Sequence, residues 1–567
     1  MARQSASPPA SSREELVFLA LGGIGEIGMN CYLYGLGPEE ARQWVMIDLG
    51  ITFPEGENDP GIDVILPDLR FIEEERANLA GLVLTHAHED HLGAVIELWP
   101  RLRMPIYATP FTAAMLESKL AELGGKLQLP ITEVPLNGRF DVGPFKLELI
   151  EVAHSIPESN AVALHTPLGV VLHTGDWKLE TSPVLGRPLD PRRLMQLGAG
   201  GVLAMVCDST NALREGRSPS ELDVAKSLAA IIRGAKRRVA VTIFASNVAR
   251  IKAVADAARS AGRHLVVAGR AMHRIIGVAM ETGYLPADFK YYDQDHFSYL
   301  EPHEVVLLCT GSQGEPRAAL ARIAEDQHPD IGLGEGDLVI FSSRTIPGNE
   351  RSVGHIQNGL VDLGCDIITD GEALVHVTGH PRREELKEMY GWIKPRVAIP
   401  MHGEARHLSE HAKLARDAGI AQVLDVRNGD MVRLAPGKAE VIDEAPVGRL
   451  FRDGALLVPS DDGPVRERRS LAYAGIVVVV LVRAGRGEVT PEATITLDGV
   501  PAADAEGRPM GDLVRDTVEG TITGIPRDRR RDGELVREAV RRAVRSAVEN
   551  VWGKRPITKV LLVQSSR

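Results

Sequence analysis

LTHAHEDHLGA, residues 84–94, places three histidines and two acidic residues within six positions. Packing does not explain this density, because core positions favour apolar side chains and a lone buried histidine is usually satisfied by one hydrogen bond. His86 and His88 are two residues apart, so on an extended backbone both side chains can point to the same side. Asp90 and His91 follow at the start of a predicted helix, HLGAVIELW. One short loop can therefore offer two ligands to one metal ion and two to a neighbouring ion.

Further metal ligands stand at the ends of other predicted strands. His154 lies at the end of LIEVAHS, Asp176 near the end of VLHTGDW, and His402 in AIPMHGE. Reactive polar residues at strand ends are where α/β proteins tend to assemble their sites. A carboxylate such as Asp176 can bridge two ions, so the sequence indicates a two-metal centre of histidines and carboxylates.

The order of apolar runs indicates a first domain that is interrupted and then resumed. From residue 16 to about 209, strand-like runs alternate with Gly-rich turns, which predicts strand-rich layers covered by helices. Between 210 and 375, strand and helix patterns alternate as in parallel βαβ units and predict a separate α/β domain. Over 376–450, the segment PRVAIPMHGEARHLSEHAKLARDAG again has a strand that ends in a histidine, with a helix after it.

Length and composition indicate a globular chain with several domains. Its 567 residues exceed what one hydrophobic core usually holds, and 44% apolar with 25% charged residues is typical of globular proteins. The four cysteines are far apart in sequence, which predicts reduced thiols in a cytoplasmic protein. Residues 1–15 have no apolar run and predict a disordered leader. The longest apolar run, residues 471–482, is shorter than the roughly 18 residues that cross a bilayer, so we expect no membrane segment.

Two glycine-rich turns invite a nucleotide-binding interpretation. Gly23, Gly25 and Gly28 match the spacing of the dinucleotide-binding motif, and Asp48 lies 20 residues beyond the last of them. That motif needs a helix after its last glycine, whereas MNCYLYGLG continues as a strand, so we predict a hairpin turn. The second turn, CTGSQGEPRAAL, lacks the GK[ST] of a P-loop and is either a phosphate contact or a structural turn.

The histidine-rich loop resembles a known motif. THAHEDH resembles the HxHxDH motif of the metallo-β-lactamase superfamily, and His154, Asp176 and His402 follow in the order expected there. Asp176 and His402 are 226 residues apart, and the α/β domain between them resembles the β-CASP domain of nucleic-acid-processing members. CDSTN with Asp208, VHVTGH with His380 and PMHGE with His402 resemble the accessory motifs of those members.

Segments over residues 21–404 are similar to those of one family of such nucleases, ribonuclease J: GGIGEIGMN, THAHEDH, HSIPES, TGDWK, DSTN, FASN, TGSQGEP, HVTGH and PMHGE. One departure is Thr378, where serine is expected, and the hydroxyl group is kept. The resemblance implies an α/β fold, namely a metallo-β-lactamase αββα sandwich interrupted by an inserted β-CASP α/β domain, followed by a small C-terminal α/β domain.

The resemblance also implies a set of metal ligands. One ion would be held by His86, His88 and His154, the other by Asp90, His91 and His402, with Asp176 between the two. We expect two divalent ions per subunit, zinc by preference and manganese as the alternative. Two ions about 3.5 to 4 Å apart can lower the pKa of a shared water, align it for attack on phosphorus and offset charge in the transition state.

The same resemblance implies catalytic and substrate-binding residues. We predict Asp90, Asp208 and His380 as catalytic residues, with His380 protonating the leaving 3′-oxygen while Asp208 holds and polarises it. A pocket for a 5′-phosphate is predicted beside that acid and is composed of His376, Thr378, Gly379, His380, Ser246 and Asn247. The alternative for this group is a strand-to-helix turn with capping side chains.

The last part of the chain differs in kind from the rest. All 17 histidines lie at or before His411, so the end of the chain is a poor place for a transition-metal site. We predict a linker over 451–465 and a small α/β domain over 466–567, with an amphipathic helix marked by Val536, Val540, Val544 and Val548. This domain serves assembly and stability, or its Arg-rich segment 527–545 contacts RNA. The net charge of −12 argues against a uniformly basic surface and permits a local basic groove.

We predict a two-metal ribonuclease that acts 5′ to 3′ from 5′-monophosphate ends and also cuts internally, in RNA maturation and decay. The alternatives are a β-CASP nuclease that acts mainly on DNA, a small-molecule hydrolase of lactonase or glyoxalase type, and a non-catalytic RNA-binding scaffold. His402 argues against DNA, because DNA-directed relatives tend to lack that histidine. Expected partners are RNA, further copies of the chain in a homodimer or homotetramer through the C-terminal domain, and RNA-degradation proteins.

Overall fold

The computed structural model describes residues 14–54, 56–346, 348–461, 463–484 and 487–564. The chain divides into two compact units, Met1–Thr52 with Ile65–Leu450 and Phe53–Val64 with Phe451–Arg567. Nearly all of the predicted leader lies outside the described residues, and Glu15 begins the first strand. Within those ranges, none of the helices combines the length and the apolar character needed to cross a bilayer.

Two β-sheets form the framework of the larger unit. Phe18 and Tyr34 of one sheet share an apolar core with Phe145 and Leu164 of the other. The first sheet has eight strands in the order Glu440–Glu444, Asp430–Ala435, Glu15–Gly22, Cys31–Gly37, Gln43–Ile47, Leu79–Val83, Ile106–Ala108 and Ile131–Glu133. The second has seven strands in the order Gln422–Val423, Val397–Met401, Ala204–Asp208, Gly169–His173, Asn160–Thr166, Phe145–Glu151 and Arg139–Val142.

Helices pack on the outer faces of this pair of sheets. Phe71 stacks edge-on against Trp44 of the first sheet, and Tyr390 and Leu194 belong to the apolar cluster on the outer face of the second. The helices of this part are Arg70–Glu74, Glu89–Leu92, Val95–Leu102, Pro110–Glu122, Pro191–Gly200, Arg383–Ile393 and Ala405–Asp417. The layers are therefore helix, sheet, sheet and helix, as the resemblance implied.

A separate parallel sheet lies between Asp208 and the strand Val397–Met401. Its six strands run in the order Tyr292–Asp293, His264–Ala268, Val305–Cys309, Val239–Thr242, Leu338–Phe341 and Asp366–Ile368. Parallel neighbours need crossover connections, and the helices supply them: Glu221–Gly234, Val248–Ser260, Arg270–Glu281, Ala319–Ala324 and Glu350–Asp362. Val397–Met401 then pairs in parallel with Ala204–Asp208, so the interrupted sheet resumes where it stopped.

The parallel strands bring the polar strand ends of the larger unit together. Gly169–His173, Ala204–Asp208 and Val397–Met401 are neighbours in the second sheet and run in the same direction. Because their carboxyl ends lie at one edge, Asp176, Asp208 and His402 are brought to the same edge of the sheet.

The smaller unit contains a three-stranded sheet in the order Val489–Asp498, Ile476–Arg483 and Ile557–Gln564. Its helices are Gly463–Ala474, Met510–Gly524 and Gly533–Trp552. The predicted amphipathic helix is confirmed, since its four valines are fully buried against the sheet: Val536, Val540, Val544 and Val548. Burial of each valine side chain stabilises the fold by about 1.5 to 3 kcal/mol.

The segment predicted as a linker, 451–465, contains regular elements. The strand Leu456–Pro459 and the start of the helix Gly463–Ala474 lie inside it. The strand has too few residues to display a periodicity, and only the start of the helix lies in the predicted linker. The remaining short elements are the strands Val64–Pro67 and Arg449–Asp453 and the 3₁₀ helices Glu39–Ala41, Gly56–Asn58, Arg76–Asn78, Gln294–Tyr299, Pro302–Glu304 and Arg529–Arg531.

Candidate metal centre

The histidine-rich loop connects the strand Leu79–Val83 to the helix Glu89–Leu92. His88 has an extended backbone and stands just before the helix, so Asp90 and His91 lie in the first helical turn. The loop and the first helical turn therefore bring candidate ligands to the same place from two different backbone segments.

Four side chains form the first group of candidate ligands. His86 Nε2 and His154 Nε2 lie 3.0 and 3.1 Å from His88 Nδ1. Asp176 Oδ2 lies 3.9 Å from His86 Nε2 and 3.7 Å from His154 Nε2. One atom of each residue falls within 4.8 Å of the others, which is the spacing of ligands around a single ion.

A second group of candidate ligands adjoins the first and shares Asp176 with it. His91 Nε2 lies 3.2 Å from Asp176 Oδ2, and His402 Nε2 lies 3.2 Å from Asp90 Oδ2. Again one atom of each of the four residues lies within 4.8 Å of the others. The structure therefore brings together all seven predicted metal ligands in two groups joined by one carboxylate.

The electrostatics of the two groups favour bound cations. Burial lowers the pKa of His86 and His154, and lowers that of His88 to about 4, so these imidazoles are neutral and have a lone pair for a metal. Burial also lowers the pKa of His402. The charge of Asp176 and the hydrogen bonds of His402 with Asp208 and Asp90 outweigh this effect and raise the pKa to about 10. The carboxylates thus hold positive charge at the second group.

Asp176 offers a further sign that the centre fits metal ions. Its Oδ1 atom is buried and has no hydrogen-bond partner among the described residues. An unpaired buried carboxylate oxygen is costly, and coordination of a cation removes that cost. Imidazole nitrogens with carboxylate oxygens suit zinc, and manganese where oxygen ligands contribute.

Asp48 supports two of the candidate ligands from outside the groups. Its Oδ2 accepts a hydrogen bond of 2.6 Å from His91 Nδ1 and one of 2.8 Å from the Thr85 hydroxyl. Thr85 Oγ1 lies 3.0 Å from His86 Nδ1, whose hydrogen it can accept. These bonds place a hydrogen on Nδ1, so Nε2, which faces the other candidate ligands, is the atom of each imidazole that could bind a metal.

Replacing Asp48 with asparagine is expected to weaken metal binding about 10- to 100-fold. Oδ2 of Asp48 accepts both hydrogen bonds, and an amide nitrogen in its place would accept neither. Titration of metal-free protein with zinc, followed by calorimetry, measures the change. Asp68→Asn is the control, since Asp68 is also buried but pairs with Arg70. Equal zinc affinity of Asp48→Asn and the original protein would remove Asp48 from this role.

Other contacts orient the remaining imidazoles. His154 Nδ1 donates to the Gly379 carbonyl at 2.7 Å, and His402 Nδ1 lies 2.8 Å from the Thr210 hydroxyl. His88 Nε2 lies 3.0 Å from the Ser246 hydroxyl. Ser246, which we predicted to contact a 5′-phosphate, therefore also supports a candidate metal ligand.

The glycine-rich turn has a structural role beside His402. The strand Cys31–Gly37 follows it in place of a helix, in agreement with the hairpin prediction. Ile24–Gly25 pairs with Gly403–Glu404, and the Gly23 carbonyl accepts a hydrogen bond of 2.7 Å from the His402 backbone. His402 has φ +52°, which is rare for a side chain other than glycine or asparagine, so this pairing helps hold a strained backbone.

Asp208 and His380 form a pair next to the second group. His380 Nδ1 donates to Asp208 Oδ2 at 2.8 Å and lies 3.9 Å from Asp176 Oδ2. Burial lowers the pKa of His380, but Asp208 and Asp176 outweigh it and raise the pKa above its usual value. With Nδ1 engaged, Nε2 is the atom that can give a proton to a substrate.

The predicted phosphate-binding residues surround His380. Thr378 Oγ1 accepts hydrogen bonds from Asn211 Nδ2 at 3.0 Å and from the His380 backbone at 3.3 Å, so its own hydrogen is available to donate. A Cβ on Gly379 would lie 2.4 Å from His154 Nδ1, so the close approach requires glycine. Backbone and hydroxyl donors thus stand beside the candidate acid.

His376 and Asn247 differ in how they are engaged. His376 Nδ1 is buried and without a hydrogen-bond partner in the described part of the chain. Burial, and to a lesser extent the positive charge of Arg250, lowers the pKa of His376 to about 3. Asn247 Oδ1 accepts from the Arg250 backbone at 2.9 Å and caps the helix Val248–Ser260. The capping alternative therefore describes Asn247, while His376 Nδ1 is without a partner within the described ranges and can donate to an anion in the tautomer that carries its hydrogen there.

Arginines gather near these residues. Burial lowers the pKa of Arg214, and the neighbouring Arg344 and Arg382 lower it further. The charge of Arg344 also lowers the pKa of His376. The Arg214 backbone N–H donates to the Asn211 carbonyl, and the Asn211 side chain in turn contacts Thr378. Mutually repelling guanidinium groups favour a bound anion.

The sequence did not reveal the residues that support the ligands. Asp48 was noticed only for its distance from the glycine-rich turn, and Thr85, Thr210 and Asn211 stand inside motifs without an assigned role. Their adjacency to identified ligands in LTHAHEDH and CDSTN was the available signal for the last three. For Asp48, the signal was its position at the end of the strand Gln43–Ile47.

Sequence models of four protein families match the chain. They are described as metallo-beta-lactamase superfamily over residues 24–225, Ribonuclease J beta-CASP domain over 236–360, Zn-dependent metallo-hydrolase RNA specificity domain over 368–424, and Ribonuclease J C-terminal domain over 463–565. The matched ranges follow the interrupted order of the fold.

Similar proteins extend over most or all of the chain. A ribonuclease J of Sinorhizobium meliloti is 50% identical over 564 residues, which cover 100% of both chains. Ribonucleases J of Mycolicibacterium smegmatis and Thermus thermophilus are 39% and 37% identical and cover 92% and 82% of both chains. A solved structure of a protein of unknown function from Enterococcus faecalis, 15% identical, covers 74% of this chain and 100% of its own with a TM-score of 0.52, which shows a shared fold.

Proposed function

The chain belongs to the ribonuclease J family of metal-dependent RNA nucleases, and from that premise we propose that it cleaves RNA with two divalent ions per subunit, 5′ to 3′ from monophosphorylated ends and also internally. The observation that carries the two-ion proposal is the pair of four-residue groups that share Asp176. We place this activity in RNA maturation and decay.

The proposed ligands divide between the two ions as the groups divide. His86, His88 and His154 would hold one ion, Asp90, His91 and His402 would hold the other, and Asp176 would be shared by both. The family model over residues 368–424 is described as Zn-dependent, and the five histidines agree with zinc. Manganese is the alternative because Asp90 and Asp176 supply oxygen ligands.

Bound ions lower the pKa of a water and offset charge on the reacting phosphate. The protein positions the ligands through Asp48, Thr85 and Thr210, so the centre is preorganised. Asp90 is held between His91 and His402, which lower its pKa and keep it ionised as a ligand.

His380 is the proposed general acid for the leaving 3′-oxygen. Its Nδ1–H is engaged by Asp208, so a proton on Nε2 points to the other side of the ring. Burial lowers its pKa, but the two carboxylates Asp208 and Asp176 raise it above the usual value, which favours the protonated ring that a general acid needs.

A pocket for a terminal phosphate accounts for the exonucleolytic direction. Thr378 can donate its hydroxyl hydrogen, and Gly379 and His380 lie beside it. His376 Nδ1 has no partner among the residues that the structure describes and would donate to the phosphate in the tautomer that carries its hydrogen there. Arg344 adds positive charge near His376. Anchoring the 5′-phosphate would determine which linkage meets the metal centre, and we expect a 5′-triphosphate to be held less well by the same contacts.

Replacing Thr378 with valine is expected to reduce the preference for 5′-monophosphate over 5′-triphosphate RNA about 10-fold, since one hydrogen bond to a charged group is lost. Rates on the two RNAs measured side by side give the preference. Thr378→Ser keeps the hydroxyl and should retain it. An unchanged ratio in the valine variant would show that Thr378 does not contact the phosphate.

A comparison of circular and linear RNA of one sequence tests both proposed modes of cleavage. The circle has no end, so any cut in it is internal, while mononucleotides from the linear form report exonucleolytic cleavage. We expect both products from RNA and far slower cleavage of DNA with the same sequence. An intact circle would exclude internal cleavage, and absence of mononucleotides from the linear RNA would exclude the exonuclease.

Family membership favours RNA over the alternatives raised by the sequence. A DNA-directed nuclease and a small-molecule hydrolase agree less well with the RNA specificity model over residues 368–424. A non-catalytic scaffold agrees less well with a complete set of candidate ligands.

We also propose that the smaller unit joins copies of the chain into a dimer or tetramer. Its helices cover one face of the sheet, and on the opposite face Leu561 is 50% and Val563 44% exposed beside Val480 and Val482. An open apolar sheet face is suited to a second copy. Light scattering of Leu561→Glu should show a smaller mass than the original protein, and an unchanged mass would contradict this interface.

A further inference from the structure

A groove of about 570 Å³ lies within the smaller unit. It is bordered by the end of the helix Gly463–Ala474, one face of the helix Gly533–Trp552 and the loop that follows that helix. This volume is in the range of sites that hold a nucleotide-sized ligand. None of its lining residues belongs to the unit that carries the candidate metal ligands.

The groove is basic although the chain is acidic. Four of its side chains are basic and one, Glu549, is acidic, whereas the whole chain has a net charge of −12. Arg541 and Arg545 are one helical turn apart and so share a helix face. Arg545 is exposed and forms no ion pair with any residue that the structure describes. Its charge is therefore available to an anion.

Arg555 pairs with Glu549 within the groove, but the other two basic side chains leave room for an anion as well. Arg541 pairs with the half-exposed Glu538 at 2.7 Å, and such surface pairs contribute little and exchange readily. Lys554 donates one hydrogen to the Tyr473 carbonyl at 3.0 Å, and an ammonium group has two more.

An aromatic ring stands at the edge of the groove. Tyr473 is 68% exposed, and Lys554 Nζ lies 4.5 Å from its ring centre. Lys554 lies beside the ring, yet much of the ring remains exposed to solvent. A basic groove with an open aromatic ring is the arrangement that binds single-stranded nucleic acid, with phosphates on the cations and a base on the ring.

We propose that this groove binds single-stranded RNA, with backbone phosphates on Arg545, Lys554 and Arg541 and a base stacked on Tyr473. It is a second contact with the RNA substrate, beyond the metal centre and the 5′-phosphate pocket, and it takes RNA as the substrate from the proposed function. The Arg-rich segment of the sequence thus contacts RNA, and it does so separately from the unit that carries the candidate metal ligands.

The test measures binding of a fluorescent 20-nucleotide RNA to the full chain in EDTA, by anisotropy over a range of salt concentrations. Arg545→Glu and Lys554→Glu should each lower affinity about 3- to 10-fold and reduce the salt slope by about 1 or more. Tyr473→Ala should lower affinity about 5-fold or more, and Tyr473→Phe should bind as the original protein does.

Arg515→Glu is the matched control, because Arg515 is exposed, lies on the helix Met510–Gly524 and does not line the groove. Thermal unfolding of each variant verifies that it folds. Ultraviolet cross-linking of 4-thiouridine RNA should identify the peptide that contains Tyr473.

The proposal is overturned if Arg545→Glu and Arg515→Glu weaken binding equally, since only net charge would then matter. It is also overturned if the variants bind RNA normally but change the mass of the oligomer, which would make the groove a protein interface. Either result leaves cleavage by the original protein intact. Failure of the nuclease proposal looks different, since the original protein would then not cut RNA when metal is supplied, whether or not it binds RNA in EDTA.

Discussion

Alanine at Asp176 is expected to lower RNA cleavage at least about 1,000-fold and to reduce the metal content of the purified protein. Asp176 belongs to both groups of candidate ligands and also to a third group, with Asp208, His380 and His402. It is the one residue shared by these three groups in the part of the chain that the structure describes. Its removal takes a ligand from both ions, and several kcal/mol of lost transition-state stabilisation corresponds to a factor of this size.

The surroundings of Asp176 explain why no neighbour can replace it. Asp176 is almost fully buried, and His91 and His402 both lower its pKa and rely on its charge. Without that carboxylate, a cation at the second group would lose the negative charge that offsets its own in a desolvated site. This loss adds to the loss of the carboxylate oxygens as ligands.

Elemental analysis and single-turnover cleavage measure the two effects of the Asp176 substitution. Asp176→Asn preserves the shape and separates loss of charge from loss of packing, and we expect it to be nearly as inactive as alanine. Asp190→Ala is the control, because Asp190 is exposed and pairs only locally with Arg192. A normal metal content together with a normal rate in Asp176→Ala would refute the shared-carboxylate centre.

His380→Ala is expected to slow cleavage by about 100- to 10,000-fold while the metal content stays that of the original protein. His380 is bonded to Asp208 through Nδ1, and neither of the two groups assigned to the ions includes it. The slowing should disappear on a substrate whose 3′-leaving group needs no proton, such as a nitrophenolate ester.

The close approach of His380 to Asp176 makes the metal content a demanding measurement. Asp176, Asp208, His380 and His402 have ligand atoms within 4.8 Å of one another, so an ion held by His380 would also fit the distances. Loss of an ion in His380→Ala would make the residue a ligand and contradict its role as the acid. His296→Ala is the matched control, since His296 lies in the inserted domain and is half-exposed.

The candidate metal centre was predictable because its proposed ligands are concentrated in a local pattern. His86, His88, Asp90 and His91 stand together, and His154, Asp176 and His402 each follow an apolar run. Strand ends can be found from hydrophobicity alone, and the parallel order of strands brings them to one edge. The alternating pattern of residues 210–375 likewise predicted the parallel sheet of the inserted domain.

The supporting residues were not predictable from such patterns. Asp48 and Thr85 are 37 positions apart, and nothing in periodicity states that one accepts a hydrogen bond from the other. Ser246 and His88 are 158 positions apart. These contacts depend on how distant elements pack, which requires three-dimensional coordinates.

The division into units was also only partly visible in the sequence. Residues 53–64 cluster with the smaller unit although they lie inside the first predicted domain, 16–209. That segment is too short and too polar to show a pattern of its own, so its association depends on the fold. The groove of the smaller unit has the same origin, since Tyr473 and Lys554 meet only after folding.

The most direct test is a time course on one 3′-labelled RNA that carries a 5′-monophosphate, a 5′-triphosphate or a 5′-hydroxyl, with zinc or manganese supplied. His88→Ala is the control for the metal centre. We predict fast 5′-to-3′ loss of the monophosphate form, slow loss of the other two, and none with the variant. Equal cleavage of all three forms would contradict the 5′-phosphate pocket, and activity of His88→Ala equal to that of the original protein would contradict the metal centre itself.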